Sequence, residues 1–289
     1  MSNEGITPLH SAIATNQTDI VMILLNYNET DINQQDNIRW TPIYYASTYG
    51  YNEILSMLLK KGAKADIPAN NGWTPLHKAA FNGHVTVVQC LLSTEEGKMS
   101  LNMKGKEVGL SPLQAAIVAN NTEIVTILLS YNETDVNQPN DDGLTPVHLA
   151  PFKGHSEILK VLIENNAVIN YQIFEEGSSA IHTASENGHT ETVKILIENN
   201  ATVDKTDKYL RTPLHLAIGN GREDLMWLLL ANGSKLSNIR LNPLIHARAK
   251  GLSDLVNSLL GTKLAVIFSK LNFLTKVLFL KELYMTANF

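Results

Sequence analysis

Cysteine is almost absent from this chain: Cys90 is the only one among 289 residues. Neither an internal disulfide nor a cysteine zinc site can therefore be built from it. Aromatic residues are sparse at 7%, and the charged residues, at 18%, leave a net charge of only −5 with an isoelectric point near 6.0. That balance gives no drive toward nucleic acid, and no nucleic-acid partner is expected. Phosphate loops of the G-x-x-x-x-G-K kind, G-x-S-x-G elbows and H-E-x-x-H helices are all missing. No residue set remains for catalysis, a cofactor or a small-molecule substrate. The first residues, MSNEGITPLH, have neither the basic segment nor the apolar core of a secretory leader, so a cytoplasmic protein is expected. Delivery into a host cell as an effector is compatible with the same composition.

What the chain has is repetition. TPLH at Thr7 returns as TPIY at Thr41, TPLH at Thr74, SPLQ at Ser111, TPVH at Thr145, SAIH at Ser179, TPLH at Thr212 and NPLI at Asn242, in steps of 34, 33, 37, 34, 34, 33 and 30 residues. Every phrase opens on Thr, Ser or Asn, whose side-chain oxygen accepts a hydrogen bond from a free backbone N–H at a helix start. Proline follows in every copy except at Ala180, and it suits the first helical position because the N–H it lacks would be unpaired there. About nine residues on stands Gly50, Gly83, Gly154, Gly188, Gly221 or Gly251, or Asn16 or Asn120, the residue types that take the left-handed turn closing a helix. A second apolar run follows, such as ILSMLL from Ile54 or VVQCLL from Val87, wide enough to face neighbours on both sides.

The phrase and its period resemble the ankyrin repeat, over residues 1 to about 261. The tetratricopeptide repeat has a similar period, but its Trp, Leu-Gly and Tyr spacing cannot be threaded through these segments. The resemblance implies an all-α solenoid of stacked helix-turn-helix units joined by β-hairpin loops. It has eight repeats over 1–261 and an apolar, basic tail over 262–289 that caps the last one. It further implies a non-catalytic scaffold or adaptor that holds another protein by its hairpin tips and the exposed ends of its first helices. Carried over repeat by repeat, those places give Trp40, Tyr49, Trp73, Phe81, Leu110, Leu144, Phe152, Lys153 and Arg211 as candidate contacts. Trp40, Tyr49, Trp73 and Phe81 are expected to share one concave side, and large aromatics dominate binding hot spots.

The nine histidines follow the repeat and not a metal. His10, His77, His148, His182 and His215 end the phrase, His84, His155 and His189 follow the turn glycine, and His246 lies one place off in the eighth copy. Groups recurring once per repeat stand about 10 Å apart, too far to share one ion, so structural hydrogen bonding is their expected role. Cys90, inside VVQCLL, is expected to be a small buried hydrophobe.

Residues 12–33, AIATNQTDIVMILLNYNETDIN, parallel residues 116–137, AIVANNTEIVTILLSYNETDVN, 104 places on, as though a block of three repeats had been copied. The NETD words fall after the second helix, where the chain must turn. In both copies a leucine, an aspartate six residues on, an aliphatic residue and then Asn33 or Asn137 resemble the context in which ankyrin asparagines are hydroxylated in animal cells.

Three departures mark irregular places. The 37-residue step puts extra chain at 93–109, expected as an enlarged loop; Pro151 is expected to distort the end of its helix; and the 30-residue step shortens the last hairpin. From Arg240 onward, seven Lys or Arg face two Asp or Glu, a charge of +5. Lys270, Lys276 and Lys281 interrupt the apolar tail too often for a membrane span. A cap on the last repeat ranks ahead of a helix held in a partner groove, and that ahead of a segment lying on a membrane. The last two define the alternative function, a regulatory or targeting module.

Overall fold

A computed structural model of the chain describes residues 5–235, so the eighth phrase at Asn242 and the tail at 262–289 lie outside the described residues. Among those described there are fifteen helices. The first three repeats are α1 (Pro8–Ala14) and α2 (Thr18–Leu25), α3 (Pro42–Tyr49) and α4 (Asn52–Lys60), and α5 (Pro75–Asn82) and α6 (Val85–Leu92). A short α7 (Glu95–Met99) follows, then α8 (Pro112–Val118) and α9 (Thr122–Leu129), and α10 (Pro146–Lys153) and α11 (Ser156–Glu164). The last two pairs are α12 (Ala180–Asn187) and α13 (Thr190–Glu198), and α14 (Pro213–Gly219) and α15 (Glu223–Ala231).

The phrases open these helices for local reasons. Thr7, Thr41, Ser111 and Thr212 each accept the backbone N–H three residues on, and the proline at the first helical position holds the cap residue before it extended, with ψ between 162 and 167°. At α12, Ala180 replaces proline, yet Ser179 still caps the helix through a reciprocal bond pair with His182. The closing turns are left-handed as the sequence implies: φ is 79° at Gly50, 54° at Asn16 and 60° at Asn120. Gly50 is constrained twice over, because a Cβ there would also meet the His84 ring at 2.6 Å.

The chain divides into two compact units. The described residues up to Leu149 with Glu164–Ala167 form the first, and Ala150–Ile163 with the described residues from Val168 onward form the second. Within the first, α1, α3, α5 and α8 pack in order, with α2, α4, α6 and α9 as a second row; within the second, α12 packs on α14 and α13 on α15. The first helices bury most of their residues and leave their ends open, as in the buried Pro112–Ile117 of α8, and the second helices bury one face, as in Ile54, Leu55 and Leu58 of α4. Each such leucine or isoleucine contributes about 1.5–3 kcal/mol when withdrawn from water.

The connecting loops pair through single backbone bonds: Asn70 N–H donates to Ile38 O, Lys106 to Asn71 O, Asp141 to Val108 O and Lys208 to Glu176 O, at 2.7–3.1 Å. One antiparallel bridge, Gln172 to Ser179, is the full extent of strand pairing among the described residues. Side chains add a second set of ties. Asn33, Asn102, Asn170 and Asp204 each accept a backbone N–H of the following repeat, from Lys64, Asp135, Thr202 and Lys235, at 2.8–2.9 Å.

Two expectations need correction, those for 93–109 and for Cys90. The extra chain at 93–109 is not all loop, since Thr94 caps Glu95–Met99 into a helical turn and Glu95 and Glu96 lie on it. Pro151 leaves α10 at eight residues, the same length as α5, and Gly154 N–H bonds Pro151 O, three residues back, where Gly83 N–H closes α5 on Ala79 O, four back. Cys90 is half-buried and not buried, with its Sγ 3.7 Å from Ser56 Oγ.

Candidate partner-binding surface

The residues just before each phrase sit in frames that their own hairpins build. Asp36 is buried; its Oδ1 accepts the N–H groups of Ile38 and Trp40 at 3.0 and 2.7 Å, and its Oδ2 accepts the Tyr45 hydroxyl at 2.9 Å. Asn140 does the same for Leu144, accepting its N–H at 2.8 Å. Asp207 accepts the Arg211 N–H at 2.8 Å and its Nε–H at 2.7 Å. The carbonyls of Trp40, Leu110, Leu144 and Arg211 are in turn bound from the preceding repeat by His10, His77, Gln114 and His182. Backbone at Trp40, Leu144 and Arg211 is therefore fixed on both sides.

Each bridging side chain has one job. The backbone N–H of the cap residue points at Nδ1, at 3.2 Å for His10, 3.1 Å for His77 and 3.2 Å for His182, so Nδ1 accepts and the proton stands on Nε2. Nε2–H then donates to carbonyls across the repeat boundary, for His77 to Met103 and Leu110 at 3.0 and 3.1 Å. Burial lowers the pKa of His10, His77 and His182 below the usual histidine value, and holds His77 at about 4. They are neutral structural pins. Among the described residues, no three His, Cys, Asp or Glu side chains gather as a metal would need.

The ends of the first helices are clasped from the next repeat. His84 Nε2–H donates to Thr48 O at 3.0 Å, Asn121 to Ala80 and Phe81 carbonyls at 2.8 and 3.1 Å, and His189 to Phe152 O at 3.2 Å. Tyr49, Phe81 and Phe152 ride on these fixed ends and remain 45%, 37% and 49% exposed.

In the second repeat the rings form a connected group. Trp40 lies 4.7 Å from Tyr44 and edge-on to Tyr45 at 5.1 Å; Tyr45 reaches Tyr49 at 6.3 Å, and Tyr49 stacks with Tyr51 at 5.5 Å. In the third, Trp73 stacks on His77 at 5.7 Å and meets Phe81 edge-on at 5.5 Å, with the Lys78 ammonium 5.8 Å from its centre. Trp73 also lies on the backbone of the next hairpin: a Cβ on Gly105 would meet its ring at 2.6 Å. Both tryptophans are half-buried, as are Leu110 and Leu144.

In the second unit, the Lys153 ammonium sits 5.4 Å from the Phe152 ring centre. The Arg211 guanidinium is shared between Asp207 and the Tyr209 ring at 4.9 Å, so hairpin partners already engage it. Asn33 is half-buried with its Oδ1 on Lys64 N, and Asn137 is half-buried with its N–H on Asp135 Oδ1 at 2.9 Å. Tyr44, Tyr45, Tyr51 and the cradle of Asp36 did not emerge from the sequence. A marker existed: Asp36, Asn140 and Asp207 each stand four residues before the residue they hold.

With that geometry in view, a family model of three successive ankyrin repeats matches overlapping windows at 1–71, 28–101, 63–140, 98–173, 120–207 and 169–240. The chain belongs to the ankyrin repeat family. Its backbone is similar to the ankyrin repeat domain of Bcl-3, described as a unique member of the IkappaB protein family, with TM-score 0.69 and 25% identity over 79% of this chain and 99% of that one. Among curated proteins it is 39% identical over 90 residues to the SMC5-SMC6 complex localization factor protein 1 of Bos taurus. That match takes in 31% of this chain and 8% of the relative. It is 33% identical over 141 residues to the tyrosine-protein kinase HTK16 of Hydra vulgaris, 48% of this chain and 17% of that protein. The chain thus spans well under a fifth of either relative.

Proposed function

We propose that the chain is a non-catalytic scaffold or adaptor of the cytoplasm that holds another protein on the concave surface of its repeats, centred on the second and third. The observation that carries this is the pairing of exposed Tyr49 and Phe81 with half-buried Trp40 and Trp73, on backbone clasped from neighbouring repeats. Rigid, partly exposed aromatics are the side chains that lose least entropy when a partner covers them. Leu110 and Leu144 would extend the contact within the first unit.

The test uses Tyr49→Ala with Phe81→Ala, because both rings project from helix ends and their loss spares the core. Proteins captured by the wild-type chain in an affinity purification should be lost or weakened about thirtyfold with the double variant. Glu186→Ala with Asn187→Ala, at the matching helix end of the sixth repeat, serves as control. An unchanged set of captured proteins with the aromatic variant and a depleted one with the control would place the contact elsewhere. The alternative module, acting through 262–289, concerns residues outside those described. No helix among the described residues is long and apolar enough to cross a membrane.

A further inference from the structure

Five asparagines of the chain stand directly before a glycine: Asn71, Asn82, Asn187, Asn220 and Asn232. Glycine has no Cβ to shield its backbone nitrogen, so in each pair that nitrogen can attack the carboxamide carbon beside it. The fold treats the five differently. Asn82 closes α5, Asn187 closes α12, and Asn220 and Asn232 cap the ends of α14 and α15. All four turn their carboxamides backward and tie them down, with Nδ2–H donating to Thr48 O, Thr183 O, Glu186 O and Leu228 O at 2.7, 2.8, 3.1 and 2.8 Å.

Asn71 lies on a hairpin, and its carboxamide turns forward. Its Oδ1 accepts the Trp73 N–H at 3.1 Å, which carries the side chain across the intervening Gly72 nitrogen. The same Trp73 N–H sits where negative charge develops on Oδ1 when Cγ is attacked, the service an oxyanion-hole donor performs. Among the described residues, no hydrogen bond holds Nδ2, the nitrogen that must leave. The glycine N–H is bonded in all five pairs, to the Ala69, Ala79, Ala184, Ile218 and Leu230 carbonyls, so that constraint does not separate them.

We infer that Asn71 is a site of spontaneous modification, at which the folded chain converts the side-chain amide to an aspartyl or isoaspartyl residue through a cyclic imide. The Gly72 nitrogen gives up its proton and bonds to Cγ; the Cγ–Nδ2 bond breaks, and Nδ2 leaves with that proton as ammonia. Water then opens the imide at either carbonyl. Opening at Cγ restores the main chain with an aspartate, whereas opening at the other carbonyl routes the main chain through the side chain and lengthens it by one methylene. The added atom disrupts the Lys106 N–H to Asn71 O bond at 2.7 Å and the Ala69 N–H to Trp73 O bond at 2.9 Å, which together position Trp73. The chemistry stands by itself; only its effect on binding rests on the surface proposed above.

Peptide mapping by mass spectrometry tests it, on the full chain held at physiological temperature and mildly alkaline pH, with conversion to acid scored at each of the five asparagines. Asn71 should convert about tenfold or more faster than any other, since each of the others must first break a hydrogen bond. In urea that lead should shrink to the small differences set by flanking sequence. Asn71→Ser keeps a hydroxyl to accept the Trp73 N–H and cannot cyclise, so it should hold its melting temperature through the same incubation while the wild type loses some of its own. A faster rate at another asparagine, a lead at Asn71 that persists undiminished in urea, or an aged wild type that melts with the aged Asn71→Ser chain overturns the inference.

Discussion

At the third residue of α5 stands His77, and at the third residue of α8 stands Gln114. Both accept the N–H of their cap residue, Thr74 or Ser111, and both donate across the repeat boundary to the residue before the next phrase, Leu110 or Leu144. A glutamine amide presents one acceptor and a donor at its far end and never ionises. Its success in α8 shows that the position requires a neutral group with an acceptor near the backbone and a donor pointing outward. The imidazole fills that role only while it is uncharged.

The comparison can be broken most severely by His77→Ala, which leaves the Met103 and Leu110 carbonyls and the Thr74 N–H without their buried partner. A loss on the order of 3–4 kcal/mol is expected, read as a fall in the denaturant midpoint. Acid should produce a loss of similar size from the same site. The folded His77 titrates near 4 and the unfolded one near 6.5. Above 6.5 both states are neutral and the stability is complete. As pH falls from about 6.5 toward 4, the unfolded chain takes up a proton the folded one refuses, and up to about 3 kcal/mol is lost. Urea titrations at several pH values should show this slope in the wild type and a shallower one in His77→Gln, with His10 and His182 supplying what remains.

A smaller effect is expected from Asp36→Ala, which frees the Ile38 and Trp40 N–H groups and the Tyr45 hydroxyl, at about 2 kcal/mol by thermal melting. The mildest change should be His77→Gln at neutral pH, under about 1 kcal/mol, because Gln114 already demonstrates the geometry. If His77→Gln instead proves as damaging as His77→Ala, ring packing against Trp73 outweighs the hydrogen bonds and the two positions are not equivalent.

Much of this could be read from the sequence, and the reason is local. Caps, the proline after them and the left-handed closing turn depend on residues within one helical turn, so Thr7, Pro8 and Asn16 announce α1 unaided. The repetition then fixes the register of every copy. What stayed hidden depends on partners some 30 residues away. The five-residue turn of α7 and the half-exposure of Cys90 beside Ser56 follow from what neighbouring segments leave open. The candidate surface divides in the same way. Tyr49 and Phe81 stand out by their place at helix ends, whereas Tyr44 and Tyr45 read as ordinary phrase residues, although the Trp40 ring packs against both.

One member of a series of ties between successive repeats is missing. Asn33, Asn102, Asn170 and Asp204 each grip the backbone of the following repeat, and the corresponding residue of the second repeat is Asp66. Its Oδ1 is buried and, among the described residues, has no hydrogen-bond partner, an arrangement that costs about 1–3 kcal/mol. Each repeat is held only by its neighbours, so a joint with one tie fewer opens more readily than one that keeps it. Backbone amides where the second repeat meets the third should therefore exchange with deuterium sooner than those at the joints that keep the asparagine tie.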